Sequence, residues 1–438
     1  HVVKTVRRCF RTLVVLGAAA DSLVLRTSNW SRFLSLMYLM PYYLLRKSLS
    51  IRKCMDFFAK ANNVREKIMI WDLYDNDFVQ ALDRMTMPSV KTSKMFRLPL
   101  VGDIDADLEG RRIGVRIISA AQHISVTEDV DGRLNLVSQK RCVCIHCRPS
   151  SSSSPPPSRS THSNTLVLHF HGGGFVSMTA KAHEAYLRVW SEMTQSTFLS
   201  VDYSKAPNHP FPRALFECFE VYSWVVSLLQ SPENHFSNVV LAGDSAGGNL
   251  VCGVMQLAIQ REVPLPVAAI LLYPSVMLLE EVSPSRMCSI LDPMVNISFL
   301  SLCIDAYTGN APEIGKDPLV SPGLMEDEFL AQFPPVYCSA GSTDPLLDDA
   351  VYFCRRLAAL EREVSLHIWD GLPHGFASLS KVSPECRHAT NHPMHWLIHR
   401  VFHNGDASSL DGGNSDTEDG NLSSSSTSPA PSTSVSPV

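Results

Sequence analysis

The sequence predicts an α/β protein in which a mostly parallel sheet carries helices on both faces. Two observations lead to this prediction. Residues 165–370 contain six short apolar segments of the kind that form buried strands: TLVLHFH, TFLSVDY, NVVLAGD, VAAILLY, PVYCSAG and VSLHIWD. Most of the intervals between these segments are long enough to hold a helix, and helical crossovers are what joins parallel strands.

A helical region is expected ahead of this sheet. From His1 to about Thr92, apolar residues recur mostly three and four positions apart, as they do in amphipathic helices. We therefore expect residues 1–98 to form a helical N-terminal cap or regulatory region, followed by an α/β domain at 99–403. The run at 33–45 is too short to span a membrane and contains Pro41, which favours a buried cap helix over a surface that touches lipid.

Two further strands and two unstructured segments complete the predicted organisation. The segments RIGVRIIS (112–119) and RCVCIHC (141–147) have the apolar pattern of strands. A Ser/Pro-rich stretch at 149–164 has nothing to bury and is predicted to be a flexible loop. Residues 404–438 lack apolar anchors and are predicted to be a disordered tail.

Composition excludes one class of partner and suggests a compartment. The 438 residues carry a formal net charge of −5, with no basic stripe of the kind that binds a phosphate backbone, so nucleic acid is excluded as an expected partner. The 12 cysteines have no regular spacing, and no signal peptide is recognisable. A cytoplasmic location is therefore expected. The chain begins at His1 rather than Met, and we expect its natural N-terminus to lie further upstream.

The segment GDSAG at 243–247 follows an apolar strand and opens a helix-like run. In the pattern G-x-S-x-G, this context places a serine on a sharp strand-to-helix turn with its hydroxyl exposed. Ser245 is therefore the candidate nucleophile, with Gly243, Asp244 and Gly247 as supporting motif residues. The alternative, a serine that only caps a helix, leaves the glycines on both sides unexplained.

A serine nucleophile needs a base, and the base needs an acid that orients it. Asp344 follows the strand PVYCSAG, and His374 lies in the Gly/Pro-flanked loop after VSLHIWD. Open α/β sheets bind ligands at this carboxyl edge, and the order Ser, Asp, His fits the architecture. Asp370 is a rival for the orienting role, while Asp348 and Asp349 are explained as charges in the first turn of a helix.

The glycines of HGGG follow another strand of the same edge. Attack by Ser245 on an ester carbonyl would create an oxyanion, which backbone N–H groups can stabilise. Gly173, Gly174 and Ala246 are the candidate donors, supported by His171 and Gly172. The alternatives are a glycine turn needed only for packing, or a phosphate cradle, for which the usual Lys-Ser/Thr is missing after the glycines.

These motifs resemble those of the hormone-sensitive lipase family of esterases and lipases, which is marked by HGGG and GDSAGG. The similarity extends over most of residues 165–380 through the segments HFHGGGFV, VDYSKAPNHPFPRALFECF, LAGDSAGGNL, SPSRMCSILDP, LDDAVYFCRRL and LPHGF. It implies an α/β-hydrolase fold and a triad of Ser245, Asp344 and His374. Two departures stand out: Lys205 and Asn208 replace the leucine and glutamate of DYxLAPE, and the long phosphorylated insert of the vertebrate members is missing before KDPLVSP.

The resemblance also implies an activity. We expect a serine ester hydrolase that forms an acyl-enzyme, uses no cofactor, and cleaves acylglycerols, especially diacylglycerol, and cholesteryl or retinyl esters at the lipid-droplet surface. A second copy of the chain is a further expected partner. A short-chain carboxylesterase of the same family is the alternative, and a ligand receptor on the same fold is a third hypothesis, although such receptors lose a triad member.

A metal site is not expected. The segment CVCIHC crowds three cysteines and a histidine, but neighbouring residues of a strand point to opposite faces and cannot converge on one ion. His395 and His399 share a helical face without a carboxylate partner, which favours a solvated face.

Overall fold

The computed structural model describes most of the chain from Met85 to Phe402. The described residues are 85–128, 134–139, 164–231, 234–288, 294–295, 297–381 and 383–402. The N-terminal region at 1–84, the loop at 149–163, the segment RCVCIHC and the tail at 404–438 lie outside them, so the predictions made there stay predictions.

The described residues contain ten strands, eight of which form one large sheet. The strands are β1 (Thr92–Pro99), β2 (Arg112–Ser119), β3 (His123–Glu128), β4 (Leu134–Gln139), β5 (Thr165–Phe170), β6 (Thr197–Asp202), β7 (Asn238–Asp244), β8 (Ala268–Leu272), β9 (Val336–Gly341) and β10 (Val364–Trp369). The order in the sheet is β1-β2-β6-β5-β7-β8-β9-β10. Neighbours from β6 to β10 are parallel, and β2 is antiparallel to both β1 and β6.

Helices lie between the parallel strands and after the last of them. They are α1 (Glu184–Thr194), α2 (Arg213–Gln230), α3 (Ala246–Gln260), α4 (Pro284–Met287), α5 (Ile297–Thr308), α6 (Asp327–Leu330), α7 (Leu347–Ala359) and α8 (Pro384–Leu397). The chain moves one way across the sheet from β5 to β6, and then back over β5 to β7. Because parallel crossovers are right-handed, this reversal puts α1 on the opposite face from α2, α3 and α7. On its face, α1 packs against α8, where Trp190 donates to the Thr390 carbonyl at 2.9 Å.

The predicted fold class is confirmed. All six apolar segments form parallel strands, and RIGVRIIS forms β2. Every residue of β5, β8 and β9 is buried, as expected for strands covered by helices on both faces.

The predicted boundary at 98/99 is wrong. Residues 92–98, which were assigned to the helical N-terminal region, form most of β1 and pair with β2. This strand lies at the edge of the sheet and has only Thr92 and Leu98 buried, so its apolar signal is weak. The hairpin of β3 and β4 was also not predicted.

Among the described residues, no helix is long and apolar enough to cross a membrane. Within the same part of the chain, no group of three or more His, Cys, Asp or Glu side chains is arranged to hold a metal ion.

Candidate active site

Ser245 lies at the turn between β7 and α3, with φ of 54° and ψ of −119°. This region of the backbone map is strained for a residue that has a side chain. Close packing explains the glycines of the motif: a Cβ atom on Gly247 would lie 1.9 Å from the Phe170 carbonyl oxygen, and one on Gly243 would lie 2.3 Å from the Gly247 carbonyl oxygen. The turn therefore requires glycine at both positions.

The side chains of Ser245, His374 and Asp344 form one hydrogen-bonded chain. Asp344 follows β9, and His374 follows β10. The Nε2 atom of His374 lies 2.9 Å from Oγ of Ser245, and its Nδ1 atom lies 2.9 Å from Oδ2 of Asp344. Because a carboxylate only accepts, Nδ1 carries the proton, and Nε2 is left to accept from the serine hydroxyl.

Burial and packing hold the base in this orientation. Asp344 is 1% exposed and His374 is 4% exposed. The second carboxylate oxygen of Asp344 accepts from the Leu346 N–H at 2.7 Å. The ring of Tyr273 meets the His374 imidazole edge to face, with centroids 4.9 Å apart. Rotation of the imidazole away from Ser245 would break its contacts with Asp344 and Tyr273.

The other carboxylates considered from sequence lie elsewhere. Asp370 is exposed and accepts from the Ser342 hydroxyl at 3.2 Å, so the structure does not bring it to His374. Asp348 and Asp349 lie in the first turn of α7, as expected. Asp349 pairs with the Arg286 guanidinium at 2.9 Å.

The HGGG loop presents backbone N–H groups to the same region. Gly173 and Gly174 have φ values of 122° and 59°, which side chains rarely adopt. The N–H groups of Gly173, Gly174 and Ala246 make no hydrogen bond to any of the described residues. Gly174 lines the cavity in front of Ser245 and His374. Free N–H groups beside a serine hydroxyl are the arrangement that an oxyanion hole requires.

Asp244, the residue before the serine, ties the HGGG loop to this turn. Its Oδ1 atom accepts from the Gly172 N–H at 3.0 Å and from the Tyr186 hydroxyl at 3.1 Å. The Nε2 atom of His183 lies 3.3 Å from Oδ2, and that of His169 lies 3.5 Å from Oδ1. Burial opposes ionisation of the carboxyl, but His183 and His169 hold the pKa of Asp244 well below its usual range. A buried anion therefore connects the two loops.

His171 supports the loop from the other side as a neutral ring. Its Nδ1 atom donates to the Gly172 carbonyl at 2.7 Å, and its ring stacks on Tyr203 with centroids 4.2 Å apart. The Tyr203 hydroxyl donates to the His171 carbonyl at 2.7 Å. Burial lowers the pKa of His171 well below 6.5, and the charge of Lys205 lowers it further.

The segment that departs from DYxLAPE keeps its own support. Lys205 bonds to Asp202 at 3.3 Å. The N–H and hydroxyl of Ser204 both donate to the carboxylate of the buried Glu217, each at 2.7 Å. Lys205 therefore faces a local carboxylate rather than the apolar core that a leucine would join.

A narrow apolar cavity opens in front of Ser245. As formed by the described residues, its volume is about 30 Å³, which is space for roughly two water molecules. Most of its wall comes from α5 and from apolar side chains of the neighbouring loops. The lining residues are Gly174, Phe175, Ser245, Ser275, Leu278, Val295, Phe299, Leu300, Cys303, Ile304, Leu346 and His374. The cavity suits an apolar group next to the serine.

Sequence reasoning missed two parts of this site. His183 and Tyr186, which contact Asp244 from the start of α1, lie three residues apart, so both face the HGGG loop that precedes them. That spacing is the signal that could have found them. The role of α5 in the cavity wall has no such signal, because its apolar pattern is that of any packed helix.

Known α/β hydrolases, a lipase and an esterase among them, are similar to this chain. The profile of a family described as alpha/beta hydrolase fold matches residues 167–378. Hormone-sensitive lipase of Ictidomys tridecemlineatus is 34% identical over 259 residues, which cover 56% of this chain and 33% of that lipase. Esterase LipI of Mycobacterium tuberculosis is 30% identical over 237 residues, which cover 54% of this chain and 73% of that esterase.

A solved structure is also similar to this chain. An esterase of Pyrobaculum calidifontis superimposes with a TM-score of 0.60 at 20% identity, covering 77% of this chain and 94% of its own. The present chain spans about a third of the length of the curated lipase that it matches.

Proposed function

Because this chain belongs to the family of hormone-sensitive lipases and related esterases, we propose that it is a serine carboxylic ester hydrolase. The observation that carries the proposal is the hydrogen-bonded chain from Ser245 through His374 to Asp344, with 2.9 Å at each step. A buried acid, a base with its free nitrogen on a serine, and a serine on a strained turn form the arrangement that activates a hydroxyl.

The geometry accounts for each step of the reaction. As Oγ of Ser245 attacks the ester carbonyl carbon, Nε2 of His374 takes the hydroxyl proton. The tetrahedral intermediate then expels the alcohol, which takes that proton from Nε2, and leaves an acyl-serine. Water attacks the acyl-serine while Nε2 takes its proton, and Nε2 then returns that proton to Oγ of Ser245 as the acid leaves. Asp344 keeps Nδ1 protonated and stabilises the imidazolium.

The oxygen of the tetrahedral intermediate needs donors that are already in place. The N–H groups of Gly173, Gly174 and Ala246 are proposed for this role, because they have no acceptor among the described residues and belong to the HGGG loop and the start of α3. The loss of one such donor typically costs about 10²–10³ in kcat.

The proposed substrates are esters of apolar acids. The apolar cavity beside Ser245 suits the acyl group of such an ester. The similarity to a hormone-sensitive lipase favours acylglycerols, and diacylglycerol is the main proposed substrate. We also propose cholesteryl and retinyl esters as substrates. The proposed place of action is the surface of cytoplasmic lipid droplets, and the proposed assembly is a homodimer. The N-terminal region that precedes β1 is proposed to serve as its cap, with β1 joined to the catalytic sheet.

A short-chain carboxylesterase is the second candidate. The observation that favours it is the size of the cavity, since about 30 Å³ next to the serine leaves little room for a long acyl chain. The similarity to Esterase LipI agrees with this alternative.

The test compares two substrates and two serine variants in the full chain. Hydrolysis of emulsified dioleoylglycerol and of soluble p-nitrophenyl butyrate is measured for wild type, Ser245→Ala and Ser227→Ala. Ser227 is an exposed serine of α2 and serves as the matched control. We expect Ser245→Ala to lose on the order of 10⁶ in kcat, and Ser227→Ala to behave as wild type.

The outcomes separate the hypotheses. Hydrolysis of both substrates supports the lipase, and hydrolysis of butyrate alone supports the short-chain esterase. Full activity in Ser245→Ala would contradict the proposed nucleophile. A folded wild type that hydrolyses neither ester would contradict the hypothesis of an ester hydrolase and favour that of a ligand receptor.

A further inference from the structure

Two cavities lie on either side of one apolar wall. The first is the narrow cavity in front of Ser245. The second, of about 270 Å³, lies on the far side of α5 and is lined in part by the charged side chains of Glu280, Glu281, Asp305 and Lys316. Leu278 and Ile304 line both cavities. These two side chains are 3% and 6% exposed, so they fill the space between the cavities rather than standing open to solvent.

Helix geometry agrees with this arrangement. In an α-helix each residue advances by about 100° around the axis. Measured from Phe299, Cys303 and Leu300 then lie at about 40° and 100° and face the first cavity, whereas Thr308 and Asp305 lie at about 180° and 240° and face the second. Ile304 lies at about 140°, on the border between the two faces.

Leu278 completes the wall from the opposite side. It lies in the loop after β8, and its N–H donates to Oγ of the buried Ser321 at 2.9 Å. Arg286 holds the same loop, because its guanidinium donates to the carbonyls of Met277 and Leu279. The Leu278 backbone is therefore held on both sides, and its side chain lines the same two cavities as Ile304 of α5.

We propose that Ile304, together with Leu278, sets the length of the acyl chain that the site accepts. The proposal rests on the proposed ester hydrolysis and agrees with its second candidate, the short-chain carboxylesterase. An acyl group on Ser245 would extend into the first cavity and meet this wall, and the free space of the second cavity lies beyond it. A smaller residue at 304 opens a passage, so that longer acyl chains fit.

The test is a chain-length profile of the full chain with a matched pair of substitutions. The value of kcat/KM is measured for p-nitrophenyl butyrate and p-nitrophenyl octanoate in wild type, Ile304→Ala and Leu279→Ala. Leu279 lines the second cavity and not the first, and both changes remove three carbon atoms. Each methylene that becomes buried contributes about fourfold. We expect the octanoate-to-butyrate ratio to rise at least fivefold in Ile304→Ala and to stay within about twofold in Leu279→Ala.

A milder variant covers the case in which Ile304→Ala does not fold. Ile304→Val removes one carbon atom and should move the ratio in the same direction by about two- to threefold. The proposal is overturned if the ratio does not change in a folded Ile304→Ala, if Leu279→Ala raises it equally, or if Ile304→Val leaves it unchanged. Failure of the proposed function is a different result, since wild type would then hydrolyse neither ester.

Discussion

Removal of the Asp244 carboxylate should loosen the HGGG loop without touching the triad. Its Oδ1 atom accepts from the Gly172 N–H at 3.0 Å and from the Tyr186 hydroxyl at 3.1 Å. In Asp244→Ala both donors lose this buried acceptor. A buried polar group left without a partner costs about 1–3 kcal/mol.

The structure sets where in that range the cost should fall. The Gly172 N–H also lies 3.2 Å from Nε2 of His183, and the Tyr186 hydroxyl also lies 2.8 Å from Nε2 of His169. Each donor therefore keeps one other partner, and about 1–2 kcal/mol per donor is the appropriate figure. We expect the free energy of unfolding to fall by about 2–4 kcal/mol in Asp244→Ala.

Asp244→Ala should affect kcat more than KM. Gly172 leads directly into Gly173 and Gly174, and a displacement of about 1 Å can cost a hundredfold in rate. We expect kcat for p-nitrophenyl butyrate to fall about a hundredfold, with KM within about threefold of wild type, because the loop would act on the transition state rather than on the ground state.

The assays are urea unfolding and initial-rate kinetics on wild type, Asp244→Ala and Tyr186→Phe. Tyr186→Phe removes one donor and leaves the carboxylate, so its loss of stability should be about 1 kcal/mol and its kcat should fall less. A folded Asp244→Ala protein with kcat and stability close to those of wild type would refute the argument that Asp244 positions the loop.

Three further outcomes follow from the geometry. Asp344→Asn should lower kcat about 10⁴-fold in the butyrate assay, because an amide no longer keeps the proton on Nδ1 of His374; a loss below tenfold would contradict the role of Asp344. Burial lowers the pKa of His169 and of His171, so below pH 6.5 the unfolded chain binds protons that the folded chain does not. The free energy of unfolding should then fall as the pH is lowered, by up to about 1.4 kcal/mol for each of them between pH 7.5 and 5.5, as urea titrations at those two pH values would measure; His171→Asn should reduce this change. Gly247→Ala places a Cβ atom 1.9 Å from the Phe170 carbonyl oxygen and should cost about 3 kcal/mol of stability together with most of the activity, which thermal unfolding and the butyrate assay would check.

The sequence was sufficient for the strands and the loops that follow them. The six apolar segments are short and bounded by turns, which identifies buried parallel strands. Because parallel strands end at the same edge, the residues after β7, β9 and β10 were expected to meet, and the structure brings Ser245, Asp344 and His374 into hydrogen-bonding distance. Local sequence patterns can predict these strands and loops, because the residues that follow a strand are the same whatever place the strand takes in the sheet.

Features that depend on tertiary neighbours were not predictable. Asp244 was expected only to support the motif, since nothing local indicates that Gly172 and Tyr186 donate to it. The strand at 92–99 was missed because an edge strand buries few side chains. The wall position of Ile304 depends on where the loop after β8 meets α5, which no spacing along the chain encodes.

The strand order has a consequence for folding. Ser245 and His374 are 129 positions apart in sequence, and β8 and β9 must both pair before the strand that leads to His374 can be placed. Contacts of such long range form late, because the entropy of closing the chain is lost before they stabilise it. No partly folded chain that lacks β10 can then hold the base on the serine. Recovery of the proposed ester hydrolysis during refolding would therefore report completion of the whole sheet, and it should lag behind the far-UV circular dichroism signal, which is dominated by the helices.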